Sequence, residues 1–260
     1  PNAAPSFGNL SAMSNLVQPE LDGGIARLDL DRPDKHNALS IGLIESLNDA
    51  IGTIEGSDDV RVVVFGGRGR SFCAGMDLQG VLDDAHAMAD MLKGLSIAMR
   101  RLRRLSVPVI ARVQGAAIGG GCGLCVVADF ALTHPEAKLG YPEVGLGVCP
   151  AVVAPWLVRR IGAGPARELL LAGGTMSGDE ALQRGLVTAL HPRDELEDAA
   201  LGLARHLAKG GKQAIAVTKQ WLNELDGSLE DGPLDRAAEL SAEVIATEEA
   251  RERLQSIFKG

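Results

Sequence analysis

The sequence predicts an α/β core followed by an all-helical C-terminal part. Three observations carry this. Strand-like and helix-like segments alternate up to about residue 190. Val60 to Phe65 is an unbroken apolar run, as a central strand covered on both faces requires. From Asp194 onward the pattern is helical throughout, broken at Gly210-Gly211 and between Gly227 and Pro233.

Each element has its own signal. In residues 24 to 30, Ala26, Leu28 and Leu30 alternate with Arg27 and Asp29, the period of a half-buried strand. Pro33 stops it, and the segment from Asp31 to Asn37 is rich in turn formers. Ser40 is a good N-cap, with Leu39 and Ile44 placed as a hydrophobic staple. Ile44, Leu47, Ile51 and Ile54 then recur at helical spacing. After the Val60–Phe65 strand, GGRGRSFCAGMDL reads as a loop and residues 81 to 105 as a helix. That helix ends in Arg100, Arg101, Arg103 and Arg104, which read as a solvated helix end. Val107 to Val113 is a further strand. Pro165 fits a first helical position and Gly173 a helix stop. Ser177-Gly-Asp-Glu180 is a capping box whose helix stops at Gly185. Leu186 to Leu190 reads as a short strand. The C-terminal helices are amphipathic, as at Leu196, Leu203 and Leu207, so they must pack on the core or on another subunit.

Composition narrows the class. A chain of 260 residues suits one large domain, and 46% hydrophobic with 23% charged residues is ordinary for a globular protein. The net charge of −8 argues against nucleic acid as the main partner. No apolar run reaches the roughly 18 residues of a membrane span. Residues 1 to 16 have neither a basic head nor an apolar core and read as a disordered leader, which makes the cytoplasm the expected location. Residues 17 to 193 form the expected core, and 194 to 260 the helical region. Cys122 and Cys125 match C-x-x-C, but Cys73 and Cys149 stand alone, so zinc lacks a second ligand pair. Small buried side chains on a helix are the better reading, and no metal is expected.

The chemistry concentrates between Gly115 and Pro150. Gly119, Gly120 and Gly121 follow a strand-like run and precede an apolar, helix-like one. A phosphate loop fails here, because Gly121 stands where its lysine belongs. The dinucleotide fingerprint fails too, because Leu124 stands where its third glycine belongs. What remains is a tight turn with a backbone N–H free to approach an anionic oxygen. The loop from Ser71 to Leu78 is placed to supply a second donor, and Glu143, behind Pro142, is a candidate proton carrier.

Four motifs in order, Arg32-Pro33…Asn37-Ala38-Leu39, Phe72-x-Ala74-Gly75-x-Asp77-Leu78, Gly115…Gly119-Gly120-Gly121 and Pro142-Glu143-x-x-Leu146-Gly147, resemble the enoyl-CoA hydratase/isomerase (crotonase) family. The likeness runs from about residue 20 to the end, including the closing stretch from Thr247 to Lys259. It implies a spiral of stacked ββα units, with a C-terminal helical region that helps form trimers, often paired into hexamers. It also implies an acyl-CoA substrate, with coenzyme A arriving as part of that substrate and no separate cofactor. By this likeness the thioester oxygen sits between the N–H groups of Met76 and Gly120, and Glu143 moves the proton. Lys35, Ala74, Asp77 and Leu78 line or shape the CoA path. Phe258 and Lys259 reach its adenine-phosphate end from a neighbouring subunit, and the Ala151 N–H helps fix the carboxylate or a water.

One position departs from the pattern. Hydratases of this family carry a second glutamate where this chain has Gly123, and Asp129, six residues on, is placed to point elsewhere. The likeness therefore implies either a hydratase working with one glutamate or a Δ3-Δ2-enoyl-CoA isomerase. Gly123-Leu124 and the Pro150–Pro155 stretch resemble methylglutaconyl-CoA hydratase-like members, which favours the hydratase. A dienoyl-CoA isomerase is disfavoured, because Ala151 stands where its acid belongs. A silent acyl-CoA-binding or RNA-binding relative is the alternative of another class. Gly123→Glu is expected to be tolerated by the fold. Tyr141, Val144 and Trp156 are candidate walls of the acyl pocket.

Overall fold

The computed structural model describes residues 16 to 81 and 84 to 258. Expectations for residues 1 to 15 and for Lys259 lie outside these residues, as does the side chain of Phe258.

The chain folds as two sheets wound together, each ββα unit adding to both. The larger sheet contains β1 (Pro19–Asp22), β2 (Ile25–Leu30), β3 (Val62–Gly67), β4 (Val109–Arg112), β6 (Phe130–Thr133) and β9 (Ala189–Leu190), in that order. Within this sheet only the β1–β2 pair is antiparallel. The smaller sheet joins β5 (Ala117–Ile118), β7 (Lys138–Gly140) and β8 (Thr175–Ser177). Single-residue parallel bridges, Leu39 to Met76 and Cys73 to Ala117, extend its layering into the preceding loops. Each turn of the spiral then closes with a helix: α1 (Ile41–Glu55), α2 (Ala85–Arg104), α3 (Gly120–Val126) and α4 (Ala154–Ile161).

The apolar run at β3 is explained by its two faces. Val63 and Phe65 enter the main core with Leu28, Leu47 and Ile51. Val62 and Val64 face the opposite side, where Leu196, Ala200 and Ala204 of α7 (Leu196–Leu207) pack on them. The first C-terminal helix is thus a cover for the sheet, which is why its stripe is amphipathic. Beyond α5 (Ala163–Ala172) and α6 (Gly178–Gln183), the chain ends in α8 (Lys212–Leu225), α9 (Asp231–Ile245) and α10 (Glu248–Phe258).

Several local expectations hold. The Ser40 hydroxyl accepts from the Leu43 N–H at 3.3 Å, and the Ser177–Glu180 capping box is closed in both directions. Cys73, Cys122 and Cys125 are buried free thiols, and burial pushes Cys73 and Cys125 up to about 12. They are inert at neutral pH. Other details shift. Pro165 is the third residue of α5, α9 begins at Asp231 with Pro233 already in its first turn, and β9 spans only two residues.

The arginine cluster differs more. Arg100, Arg103 and Arg104 are not a solvated helix end but a clamp for the C-terminal helices, while Arg101 pairs with Glu55 of α1 at 3.1 and 2.6 Å. Arg100 bonds Asp231 and Asp235 at 3.0 and 2.7 Å, Arg103 reaches Asp226, and Arg104 donates to the Ser228 carbonyl at 2.9 and 2.8 Å. The reason is that the acids and carbonyls of the α8–α9 connection converge on one helix terminus, and periodicity within α2 carries no trace of them.

A buried ion pair completes this junction. Lys219 of α8 donates to Asp129 at 2.6 Å and to the Val107 carbonyl at 2.9 Å, and Asp129 also accepts from the Val109 N–H at 2.8 Å. This places Asp129 away from the glycine turn, as expected. Removing only the acid strands a buried ammonium, so Asp129→Ala is predicted to lower stability by about 3–5 kcal/mol. Replacing the lysine by an apolar side chain of similar length, Lys219→Met, is predicted to cost less. Urea denaturation of both variants checks the order, and a larger loss for Lys219→Met contradicts it.

Candidate active site

The site begins where β4 hands over to β5. Gly119 adopts φ +54°, a left-handed conformation that a side chain would strain, and its N–H donates to the Gly140 carbonyl at 2.8 Å. That turn aims the chain into α3 with Gly120 as its first residue. A Cβ at Gly120 would lie 2.8 Å from Leu95 Cδ2 and 3.2 Å from Leu39 Cδ1, so a side chain there would have to displace the leucine methyls packed on the turn.

The second donor comes from the loop after β3. Its residues are laced to both neighbours: the Cys73 N–H donates to Ala116 O at 2.9 Å, Leu39 N–H to Gly75 O at 2.7 Å, and Asp77 N–H to Leu39 O at 2.9 Å. Gly75, at φ +94°, makes the reversal. Between these bonds, Met76 is skipped. Among the described residues, neither the Met76 N–H nor the Gly120 N–H has a protein acceptor. The two residues adjoin, with Met76 Cγ 3.9 Å from the Cβ direction of Gly120. Two free donors from two rigidly held turns suit an oxygen that gains charge during reaction.

Glu143 stands against this turn. It opens the 3₁₀ turn Glu143–Leu146, and a Cβ on Gly119 would lie 2.7 Å from its Oε1. The glycine is therefore also the seat of the carboxylate. Glu143 Oε2 is buried with no hydrogen-bond partner in the protein. Burial pushes the carboxyl up to about 7 from its ordinary 4.5, opposed in part by a bond from its own backbone N–H. A group poised there both accepts and returns a proton near neutral pH.

The raised value has a measurable consequence for stability. The folded protein holds the Glu143 proton up to about pH 7, the unfolded chain only to about 4.5. The resulting contribution is complete below 4.5 and is lost as pH rises through 7. Glu143→Gln is predicted to match the parent in urea at pH 4 and to exceed it by on the order of 2 kcal/mol at pH 8.5, after discounting for partial exposure. Equal midpoints at pH 8.5 contradict the buried, unpartnered carboxylate.

Gly123 lies one helical turn beyond Gly119, its N–H bonded to the Gly119 carbonyl at 2.9 Å. The position is fully enclosed. A Cβ there would meet Met99 Cε at 2.5 Å and Val153 Cγ1 at 2.6 Å. Met99 and Val153 are themselves buried. This corrects the expectation that Gly123→Glu is tolerated: the space where a second acid would stand is filled by apolar side chains.

The remaining expected residues surround the donors in different ways. Lys35 and Ala74 are exposed, while Met76, Asp77 and Leu78 are half-buried. Lys35 ends the 3₁₀ turn Pro33–Lys35, and the Ala74 N–H donates to the His36 carbonyl at 3.0 Å, which brings these two loops together. The Asp77 carboxylate is taken by Arg32 at 2.7 Å, and Arg32 also donates to the Ala38 carbonyl at 3.0 Å. Asp77 thus locks the two loops in register. Ala151 is buried in the turn before α4, and its N–H has no protein acceptor among the described residues. Ser241 of α9 fixes this turn, donating to Cys149 O at 3.0 Å and accepting from Val152 N at 3.3 Å. Tyr141 and Trp156 are buried packing residues, and Val144 packs towards Gly173.

Sequence reasoning missed four contributors. Asn37, fully buried at φ +57°, donates to the carbonyls of Arg68, Ser71 and Phe72 and so holds the donor loop. An asparagine in a turn-rich segment was the available signal. Leu95 and Met99 fall in a predicted helix and Val153 in the Pro150–Pro155 stretch, and only the glycines' missing side chains point at them. Cavity size does not mark the site. The 410 Å³ cleft between α1 and α2, lined by Ile41, Glu45, Asp49, Asp90 and Met91 among others, lies away from Glu143 and the two donors. Convergent donors and a perturbed carboxylate locate the chemistry better than volume does.

Residues 20–258 match the family model described as enoyl-CoA hydratase/isomerase. The chain belongs to the enoyl-CoA hydratase/isomerase family. A relative from Clostridium acetobutylicum named short-chain-enoyl-CoA hydratase is 30% identical over 249 residues, covering 94% of this chain and 95% of that protein. The crystal structure of an enoyl-CoA hydratase/isomerase from Mycobacterium paratuberculosis superposes with a TM-score of 0.86 at 26% identity, covering 95% of this chain and 100% of that one. An enoyl-CoA hydratase from Bacillus anthracis gives a TM-score of 0.77 at 29% identity, covering 94% and 96%. The spiral of stacked ββα units is thus the crotonase fold. Among the described residues no helix is long and apolar enough to cross a membrane.

Proposed function

We propose that this protein is an enoyl-CoA hydratase that adds water across a 2-enoyl-CoA double bond with one glutamate. The observation that carries the reading is the pairing of two free N–H donors, at Met76 and Gly120, with a buried carboxyl at Glu143 poised near pH 7. The donors take the thioester oxygen and draw electrons from the β-carbon. Glu143, as carboxylate, removes a proton from water while the water oxygen bonds the β-carbon. The electron pair reaches the thioester oxygen and returns to the α-carbon, which takes the proton from Glu143. The Ala151 N–H is a free donor for the attacking water. Lys35, Ala74, Asp77 and Leu78 border the CoA path. A trimer or a pair of trimers in the cytoplasm belongs to the same reading, supported by the exposed Val217, Trp221, Leu222 and Leu225 of α8 and by the buried free thiols.

A specific observation favours a second reading, Δ3-Δ2-enoyl-CoA isomerase. The enclosed Gly123 leaves a single carboxylate, and one carboxylate suffices to take a proton from the α-carbon and return it to the γ-carbon. Retention of a perturbed acid beside two free donors speaks against a silent binding protein.

Two absorbance assays separate these readings. With crotonyl-CoA, loss of the conjugated enoyl-thioester band is expected. With a 3-enoyl-CoA alone, appearance of that band assigns the isomerase instead. Neither signal, with acyl-CoA binding intact, overturns both in favour of a binding protein.

A further inference from the structure

At the end of α3 away from Gly120, a cavity of 160 Å³ is lined by Arg103, Val126, Val127, Trp156, Arg159 and Arg160. Three guanidinium groups share this small space, so their counter-charges decide its chemistry. Asp226 is taken by Arg103, and Asp129 by Lys219 at 2.6 Å. Arg159 and Arg160 are left with neutral partners. Arg159 donates to the Asp226 and Gly227 carbonyls at 3.0 and 2.7 Å. Arg160 donates to the Gly185 and Leu186 carbonyls, each at 3.2 Å, and reaches those of Ala128 and Asp129 only at 3.5 and 3.4 Å. Among the described residues, Arg159 Nη1, Arg160 Nη2 and Trp156 Nε1 are buried without an acceptor. Trp156 is only 2% exposed, and the Arg159 guanidinium lies 5.1 Å from the centre of its ring. Burial holds both arginines below their ordinary value, and Arg103 adds to the effect.

We propose that this cavity binds a small oxyanion of the phosphate class, held by Arg159, Arg160 and Trp156 beside Arg103. Two guanidinium groups without a carboxylate and one indole N–H converge on it from different residues, as a tetrahedral anion requires. Planar guanidinium forks match phosphate oxygens closely. The volume suits the ligand, with room for about five water molecules at roughly 30 Å³ each. Arg160 is the adaptable member, since its contacts of 3.2 to 3.5 Å are long and a small turn of the guanidinium brings Nη2 onto an anion. The cavity is separate from Glu143 and the two free donors. Val126 closes α3 and Gly120 opens it, about 9 Å apart along the helix. An anion here would do structural work. Arg159 is anchored on the α8–α9 connection and Arg160 on the chain after α6, so one ligand would tie both to α4. The inference does not depend on which reaction Glu143 serves.

The test titrates inorganic phosphate into the full chain, against sodium chloride at matched ionic strength, and follows thermal unfolding and calorimetric binding. Phosphate at ten times its dissociation constant is expected to raise the parent's melting temperature by about 3 °C or more, and chloride to leave it unmoved. Arg160→Met keeps the bulk of the side chain and removes the more loosely held cation. It is expected to fold and to lose the phosphate shift. A parent that does not respond to phosphate overturns the proposal, and so do equal shifts in the parent and Arg160→Met. If the parent ignores phosphate while Arg160→Met changes the oligomeric state in light scattering, the proposal also falls, and the cations belong to a carboxylate of a second copy of the chain. Should Arg160→Met fail to fold, Trp156→Phe decides. It removes one donor and no charge, and is expected to weaken phosphate binding by about tenfold, the loss of one hydrogen bond to a charged group. Unchanged affinity in Trp156→Phe overturns the proposal.

Discussion

Glu143→Gln is expected to lower turnover of a 2-enoyl-CoA by about a thousandfold, within the range of acid–base catalysis by a positioned side chain. Binding of the thioester is expected to change by no more than a few-fold. Glutamine has the same length, so the amide still fits against Gly119, and the donors at Met76 and Gly120 belong to other segments. Only the ability to exchange a proton is lost. The parent's kcat/KM is expected to rise with pH and level off near 7, because the ionised form starts the reaction. Stopped-flow absorbance with calorimetric binding checks both parts. Loss of binding together with turnover would mean that Glu143 holds the substrate rather than moves a proton.

Gly123→Glu carries the largest expected effect on stability, on the order of 5 kcal/mol or more. Two independent costs add. The first is steric: even the Cβ falls 2.5 Å from Met99 Cε and 2.6 Å from Val153 Cγ1, and Val153 is a β-branched side chain held at the N-cap position of α4. The second is electrostatic, because the added side chain would start from a position closed by the buried Met99 and Val153, where an unpaired carboxylate is costly. Loss of that magnitude is comparable to the whole stability of an ordinary domain. Circular dichroism during thermal unfolding is expected to show a melting temperature lowered by well over ten degrees, or no folded state. A variant that melts with the parent would mean that the interior around Gly123 is loose.

Much of this architecture is legible in the sequence because it follows from local chemistry. The β3 run, the Ser40 cap, the capping box at Ser177 and the helix stop at Gly173 each rest on residues within a few positions of one another. The two donors and Glu143 are legible for a different reason. A turn that needs φ > 0 and an acid fixed against it leave a motif at fixed spacing.

What is not legible depends on segments far apart in the chain. The arginines at the end of α2 look solvated until Asp226, Ser228, Asp231 and Asp235 arrive more than a hundred residues later. Gly123 looks like a vacancy because sequence records the missing side chain and not the neighbours that fill its place. Met99 comes from one helix and Val153 from the start of another, and neither position carries a polar atom to attract notice. Asp77 looks like a ligand residue, whereas its carboxylate is already engaged by Arg32 at 2.7 Å.

On the proposed reading, Glu143 carries the proton at the α-carbon of a thioester held by Met76 and Gly120. Exchange of the α-protons of butyryl-CoA with D₂O, followed by proton NMR, tests this most directly, because it needs no added water and no double bond. The parent is predicted to exchange them faster than buffer, and Glu143→Gln no faster than buffer. Equal exchange by both proteins, or none by a parent that binds the thioester, would contradict the account.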